Sequence, residues 1–159
     1  MSLHDIFMSR IIIPIANYCT EKKKVRIIYD RVETDPYLIR FYLHPRWLTF
    51  GLFRVVLHRF VRSDNPEDGL HDHPWGYMSI ILSTGYHEHT KHGVKFHKPG
   101  SIIIRRAKHQ HRVELPASEN GPVYTLFFMG PRIRNWGFQI GDEWHHWKDW
   151  IDIRNGRKR

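Results

Sequence analysis

Two histidines set two apart are the residues of this chain best placed to do chemistry. In Gly69–Gly85, GLHDHPWGYMSIILSTG, His71 and His73 flank Asp72. Successive side chains of an extended strand point to opposite faces, so the two imidazoles project together and Asp72 projects away from them. Imidazole ligates zinc, iron, nickel and copper, and a site open to substrate uses about three protein ligands. Downstream, Lys98–Val113 reads as a Pro-Gly turn, an apolar strand and then His111, with His109 two residues earlier as the alternative third ligand. Pro74-Trp75-Gly76 breaks the first segment, Met78–Leu82 resumes it, and Gly85 permits a tight turn, which predicts a hairpin with the histidines at its base.

These spacings resemble the motifs of the cupin family. One motif runs His-x-His, three or four residues, Glu, six residues, Gly. Here His71, His73, Met78 and Gly85 keep every position except the glutamate. The other runs Gly, five residues, Pro-x-Gly, two residues, His. Gly100 and His111 keep its spacing, but Arg106-Ala107-Lys108 replaces the Pro-x-Gly. The wording of the wider chain is similar to a group of small bacterial and phage cupin-like proteins that share an HDHPW motif. The shared pieces are Leu57–Phe60, His71–Trp75, Gly85–Glu88, Arg105–Val113 and Gly130–Phe138. That wider match implies a fold rather than a reaction.

The resemblance implies an all-β antiparallel jelly roll, the double-stranded β-helix of RmlC-like cupins, with the metal inside the barrel near one open end. With Met78 where a carboxylate ligand is usual, it implies a three-histidine centre of His71, His73 and His111. The ion would be divalent, Fe2+ first and Zn2+, Ni2+ or Mn2+ as alternatives. Cupins that hold iron with three histidines, cysteine dioxygenase among them, make a small-molecule dioxygenase the leading reaction class. That step rests on fold analogy. A non-enzymatic ligand-binding or structural cupin is the alternative, and a metal-free sugar-nucleotide isomerase or epimerase is a third reading. Arg59 or Arg105 would grip an anionic substrate group, and Tyr77 or Trp75 would shape the pocket mouth. Glu88 is the nearest acidic residue, on a strand where it faces with Tyr86 and Thr90. No residue is singled out as general base.

The elements that must position these residues are short strands with turn signals between them, followed by an aromatic tail. Lys24–Tyr29, Tyr37–Leu43, Phe50–Val61, Tyr86–Thr90, Ser101–Ile104 and Val123–Met129 read as strands, and the last two as buried ones. Asp30–Pro36, Ser63–Gly69 and Leu115–Pro122 read as connections. In Phe50–Val61 the face of Phe53, Val55, Leu57 and Val61 is the more apolar. It is assigned inward, which carries Arg59 with it and requires an anionic partner for that guanidinium, either a substrate anion or an internal carboxylate. Residues 1–20 predict a helical cap, with Leu3, Ile6, Phe7 and Ile11 near helical spacing and Pro14 stopping it; a peripheral membrane anchor is the alternative. In the tail, 141–159, Trp144, Trp147 and Ile151 fall on one helical stripe that would dock on the core. His87, His89, His92 and His97 surround the Gly93 turn as exposed residues rather than a second metal site.

The 159 residues predict one domain with its own core. No apolar run is long enough to span a bilayer. The single Cys19 excludes an internal disulfide, and with no clear cleavable signal the expectation is a cytoplasmic protein, for which a homodimer is one open assembly. A net charge of +9 raises nucleic acid as a partner. The basic residues are scattered, however, and the dense runs Lys22–Lys24 and Arg154–Arg159 read as solvated surface, which ranks that partner below a small anionic molecule.

Overall fold

The computed structural model describes residues 6–29, 36–116 and 122–157. Leu3, most of the Asp30–Pro36 and Leu115–Pro122 connections and the last two tail residues lie outside them. Twelve short strands make up most of the fold: β1 Val25–Tyr29, β2 Pro36–Tyr42, β3 Arg54–Phe60, β4 Leu70–His71, β5 Tyr77–Ile81 and β6 Tyr86–Thr90, then β7 Gly93–His97, β8 Ile102–Arg105, β9 Arg112–Glu114, β10 Val123–Met129, β11 Gly137–Ile140 and β12 Glu143–His146. One layer is a six-stranded sheet in the order β1-β2-β3-β10-β5-β8, and two three-stranded ribbons, β12-β11-β4 and β7-β6-β9, make the other. An antiparallel bridge between His71 and His111 joins the ribbons. The result is an all-β jelly roll with a short helix at either end of the chain.

Residues directly opposed in an antiparallel pair share a face, so the registers give the inner face of the large sheet row by row. One row is Leu38, Phe60 and Val123, and the next is Arg40, His58, Thr125 and Ile81. A third is Tyr42, Val56, Phe127, Ser79 and Ile103, and the last ends in Met129, Tyr77 and Arg105. Leu38, Phe60, Ile81, Ile103 and Val123 are buried together with Tyr86 and Val113 of the opposite ribbon, so this is where the two layers close on each other.

The outer face of the same sheet is covered too, and this explains where the strand reading misses. A π-helical turn, Met8–Ile12, runs into an α-helix, Ile13–Glu21. Its Ile12, Ala16 and Cys19 pack on Phe41, Leu57 and Tyr124. The apolar face of Phe53, Val55, Leu57 and Val61 therefore looks outward, partly toward this helix, and Arg59 on it is exposed. The inner face carries Val56, His58 and Phe60. Pro14 does not stop the helix. It sits in the first turn of the α segment, where a missing N–H costs least, after a wide turn in which the Ile13 N–H reaches back to Met8 O.

The predicted hairpin is absent for a related reason. β4 pairs with β11 and β5 pairs with β10 and β8, so Pro74-Trp75-Gly76 carries the chain from one layer to the other. Gly85 does make the tight turn: its φ is +88°, and a Cβ there would lie 2.5 Å from His97 O. Ser101–Ile104 is only half buried, because β8 is an edge strand whose Ile102 and Ile104 look outward while Ile103 faces the core.

The tail docks on the core through two buried aspartates. Asp72 accepts hydrogen bonds from Gly137 N and Trp144 Nε1 and pairs with Arg134 at 2.7 Å. Asp68 accepts from Trp150 Nε1 and Arg154 Nη1. The C-terminal helix, Trp147–Arg154, thus uses Trp150 and Arg154 rather than the predicted stripe. Trp144 lies in β12, and Trp147 stacks on Trp136 at 5.7 Å.

Candidate metal centre

β4, the break after it and the start of β9 bring three histidines to one point. His71 is held by the bridge to His111, with each backbone N–H donating to the other's carbonyl at 2.8 and 2.9 Å. His73 N donates to Ala107 O, which fixes the chain after Asp72 has turned away. The ligating atoms of His71, His73 and His111 all lie within 4.8 Å of one another. His73 Nε2 and His111 Nε2 are 2.9 Å apart. Two nitrogens bound about 2.1 Å from one ion at right angles would be separated by about 3 Å, so this pair already has the spacing of adjacent ligands.

Burial keeps the His71 and His73 rings neutral. It lowers His71 to about 4, against the opposing pull of Asp64, whose carboxylate is 3.8 Å from His71 Nδ1. Burial lowers His73 further, helped by His71, His111, Arg40 and His58. A neutral imidazole offers the lone pair that a cation needs, so the donor set fits a divalent metal at neutral pH.

Behind the rings stands Glu88. It is 1% exposed and faces inward with Tyr86, as the alternation of β6 requires. One oxygen faces His111 Nδ1 at 3.1 Å and His109 Nε2 at 3.2 Å; the other faces His97 Nε2 at 2.9 Å and accepts from Arg105 Nη2 at 2.5 Å. Burial by itself would raise the carboxyl, but the hydrogen bonds from His111 and Arg105 outweigh it and hold Glu88 well below the usual carboxylate range. An anion on Nδ1 orients the His111 ring and leaves Nε2 turned toward His73, the arrangement that outer partners of metal-binding histidines provide. Glu88, His109 and His111 also form a cluster of metal-binding types, but hydrogen bonds already join them.

The other sequence-predicted residues divide. Tyr77 reaches the site, with its hydroxyl 3.5 Å from His111 Nε2 and its ring 5.1 Å from that of His73. Trp75 stacks beside His73 at 6.2 Å. Met78 does not face the histidines: it alternates with Tyr77 and Ser79 onto the outer face, opposite Phe128 and Ile104. Arg59 points to solvent, and Arg105 is engaged by Glu88, so neither is a free cation in the barrel. His109 serves Glu88 rather than the His71 and His73 pair. His97, expected at the surface, is buried against the same carboxylate. Sequence reasoning missed the hub role of Glu88, whose signal was its place two residues after the buried Tyr86. It also missed His58, for which the phase of β3 was the missing signal, and Arg40, which faces the same way because β2 pairs it with His58.

No protein-family model and no curated protein matches the chain. Solved structures do. A cupin-2 domain from Rhodospirillum rubrum matches with a TM-score of 0.53 at 15% identity, over 82% of either chain. An RmlC-like cupin protein from Ralstonia eutropha JMP134 matches with a TM-score of 0.50 at 11% identity, over 84% of this chain and 82% of that one. The Fe(II) structure of HppE matches with a TM-score of 0.51 at 12% identity, over 67% of this chain and 57% of that longer one. The molecule is a jelly roll with a histidine-rich candidate metal site inside it. Its fold is that of the RmlC-like cupins.

Proposed function

We propose that His71, His73 and His111 hold a divalent metal ion and that the barrel interior around them binds and transforms a small molecule. The observation that carries this is the convergence of three imidazoles, His111 buried and His71 and His73 half-buried, with His73 and His111 already at the spacing of adjacent ligands and His111 oriented from behind by Glu88. Oxidation by molecular oxygen is the reaction class we favour. Three imidazole ligands suit iron(II), the metal named for the similarly folded HppE structure, and leave positions for two further molecules. When bound, the ion would supply a positive centre that draws substrate and oxygen to one point. The chain's own residues would do the rest. Tyr77 presents its hydroxyl at the histidines with its proton firmly held, since burial raises that phenol well above its ordinary range. Trp75 and Phe127 flank the interior with apolar surface that excludes water.

The 2.9 Å between His73 and His111 is also the length of a hydrogen bond between neutral imidazoles, which is how a metal-free cupin using a histidine as base would arrange them. Elemental analysis of freshly purified protein separates the two readings. About one divalent ion per chain, falling sharply in His73→Ala and His111→Ala, supports the metal centre; a protein free of metal that shows no chelator sensitivity rejects it. Oxygen uptake with candidate substrates then tests the reaction class.

A further inference from the structure

One inner row of the large sheet carries polar atoms that nothing among the described residues satisfies. Arg40, His58 and Thr125 lie directly across from one another on β2, β3 and β10. Arg40 Nε, both ring nitrogens of His58 and the Thr125 hydroxyl are buried without a hydrogen-bond partner among the described residues, and so is Trp75 Nε1. Trp75 belongs to the same place, because the Arg40 guanidinium lies 6.0 Å from its ring. Among the described residues no carboxylate pairs with Arg40; its guanidinium hydrogen-bonds to the Tyr42 side chain, with Tyr37 and Arg26 as its other charged or polar neighbours, and Nε is left over. Buried polar groups are nearly always paired, and each orphan costs free energy that a folded chain has to offset. Four such residues close together, one of them an arginine, leave donors that a bound hydrogen-bond acceptor would satisfy.

The row is coupled to the histidines. His58 stacks on Phe127 at 4.6 Å, Phe127 stacks on Tyr77 at 4.7 Å, and Tyr77 touches His111 and His73. On the other side Trp75 bridges Arg40 to His73.

We propose that Arg40, His58, Thr125 and Trp75 form the anion-binding end of the barrel interior, and that they take the carboxylate of a small monoanionic ligand whose other end reaches the three histidines. The proposal rests on the small-molecule reading above and deepens it. Charge argues for a carboxylate over phosphate. Burial, followed by the neighbouring Arg40, lowers His58 well below its ordinary value, so the row holds one positive charge among neutral donors and matches a single negative one. The flat guanidinium pairs with a carboxylate through two parallel hydrogen bonds. Hydroxyl, imidazole and indole donors are then left for its remaining lone pairs.

The test measures binding of acetate, lactate, benzoate and inorganic phosphate by calorimetry, to the metal-loaded and the chelated protein, with metal content determined on each sample. We expect at least one carboxylate to bind and phosphate to bind at least ten-fold more weakly. Arg40→Met should abolish carboxylate binding while the metal content stays at the wild-type level. Thr125→Val, nearly the same size and safe for folding, should weaken carboxylate binding several-fold. A loss of metal without loss of carboxylate binding to the row overturns the metal reading and leaves this one standing. No carboxylate binding in either form of the wild type, or carboxylate binding at the wild-type level in both Thr125→Val and Arg40→Met, overturns the proposal and assigns the row to ordered water.

Discussion

Glu88 and His111 are joined at 3.1 Å through the ring nitrogen of His111 that faces away from the other two histidines. The carboxylate is more deeply buried than either neighbouring ring, so it acts on the site without being one of its three histidine donors.

Replacing it isolates that role. Glu88→Gln keeps the shape but removes the charge that Arg105, His97, His109 and His111 share. We expect metal affinity to fall by about 10- to 100-fold, measured by competition with a chelator. The fold should lose on the order of 3 kcal/mol in urea denaturation, because Arg105 loses its buried partner. Unchanged affinity in a folded variant would mean that Glu88 does not orient His111.

Met78 occupies the place of a carboxylate in the sequence pattern but stands on the wrong face. Met78→Glu should therefore leave metal affinity within a factor of about two in the same competition assay, where an inward position would have gained an oxygen ligand and a negative charge. Tighter binding would show that β5 can present residue 78 to the histidines.

Three neutral histidines, His58 buried and His71 and His73 half-buried, make the metal-free protein sensitive to acid. His58, His71 and His73 have lowered values in the folded chain and return to about 6.5 when it unfolds, so the unfolded state takes up protons first. Their contribution to stability is complete above that value and is lost as pH falls from about 6.5 toward 4, by up to about 1.4 kcal/mol per pH unit for each ring. Urea titrations of chelated protein at pH 7, 6 and 5 should show this slope, and His58→Leu should reduce it by one proton. An unchanged slope would place His58 in contact with solvent.

Asp72 is the point where three parts of the tail meet. Asp72→Ala strands Arg134, Trp144 Nε1 and Gly137 N together. We expect a loss of about 3 kcal/mol and early proteolytic cleavage within residues 130–150. Wild-type resistance to protease would show that β11 and β12 stay docked without it.

The strands and the histidine cluster were legible because both depend on local pattern: alternation along β6, the near-continuous apolar run of β10, and the two-residue interval of His71 and His73. What failed was the inside and outside of β3. One face of that strand is closed by the second layer and the other is covered in part by the N-terminal helix, so the more apolar face was not the inner one. Arg59 went to solvent as a result, and His58, which reads as an outward residue, is 2% exposed. Arg105 faces inward but is already engaged by Glu88, a contact between strands that no local pattern encodes. Asp72 was correctly turned away from the histidines, yet its partners lie more than sixty residues downstream.

The backbones of His71 and His111 donate to each other where the two ribbons meet, so the rings that gather at the site belong to residues that also fasten the seam of the barrel. An ion held by those rings would clamp the seam from the side-chain end while the two N–H groups clamp it from the main chain. Loading and barrel closure are then one equilibrium, and occupancy should be readable far from any catalytic assay: the amides of His71 and His111 would exchange with deuterium more slowly in loaded protein than in chelated protein, in proportion to the affinity for the ion.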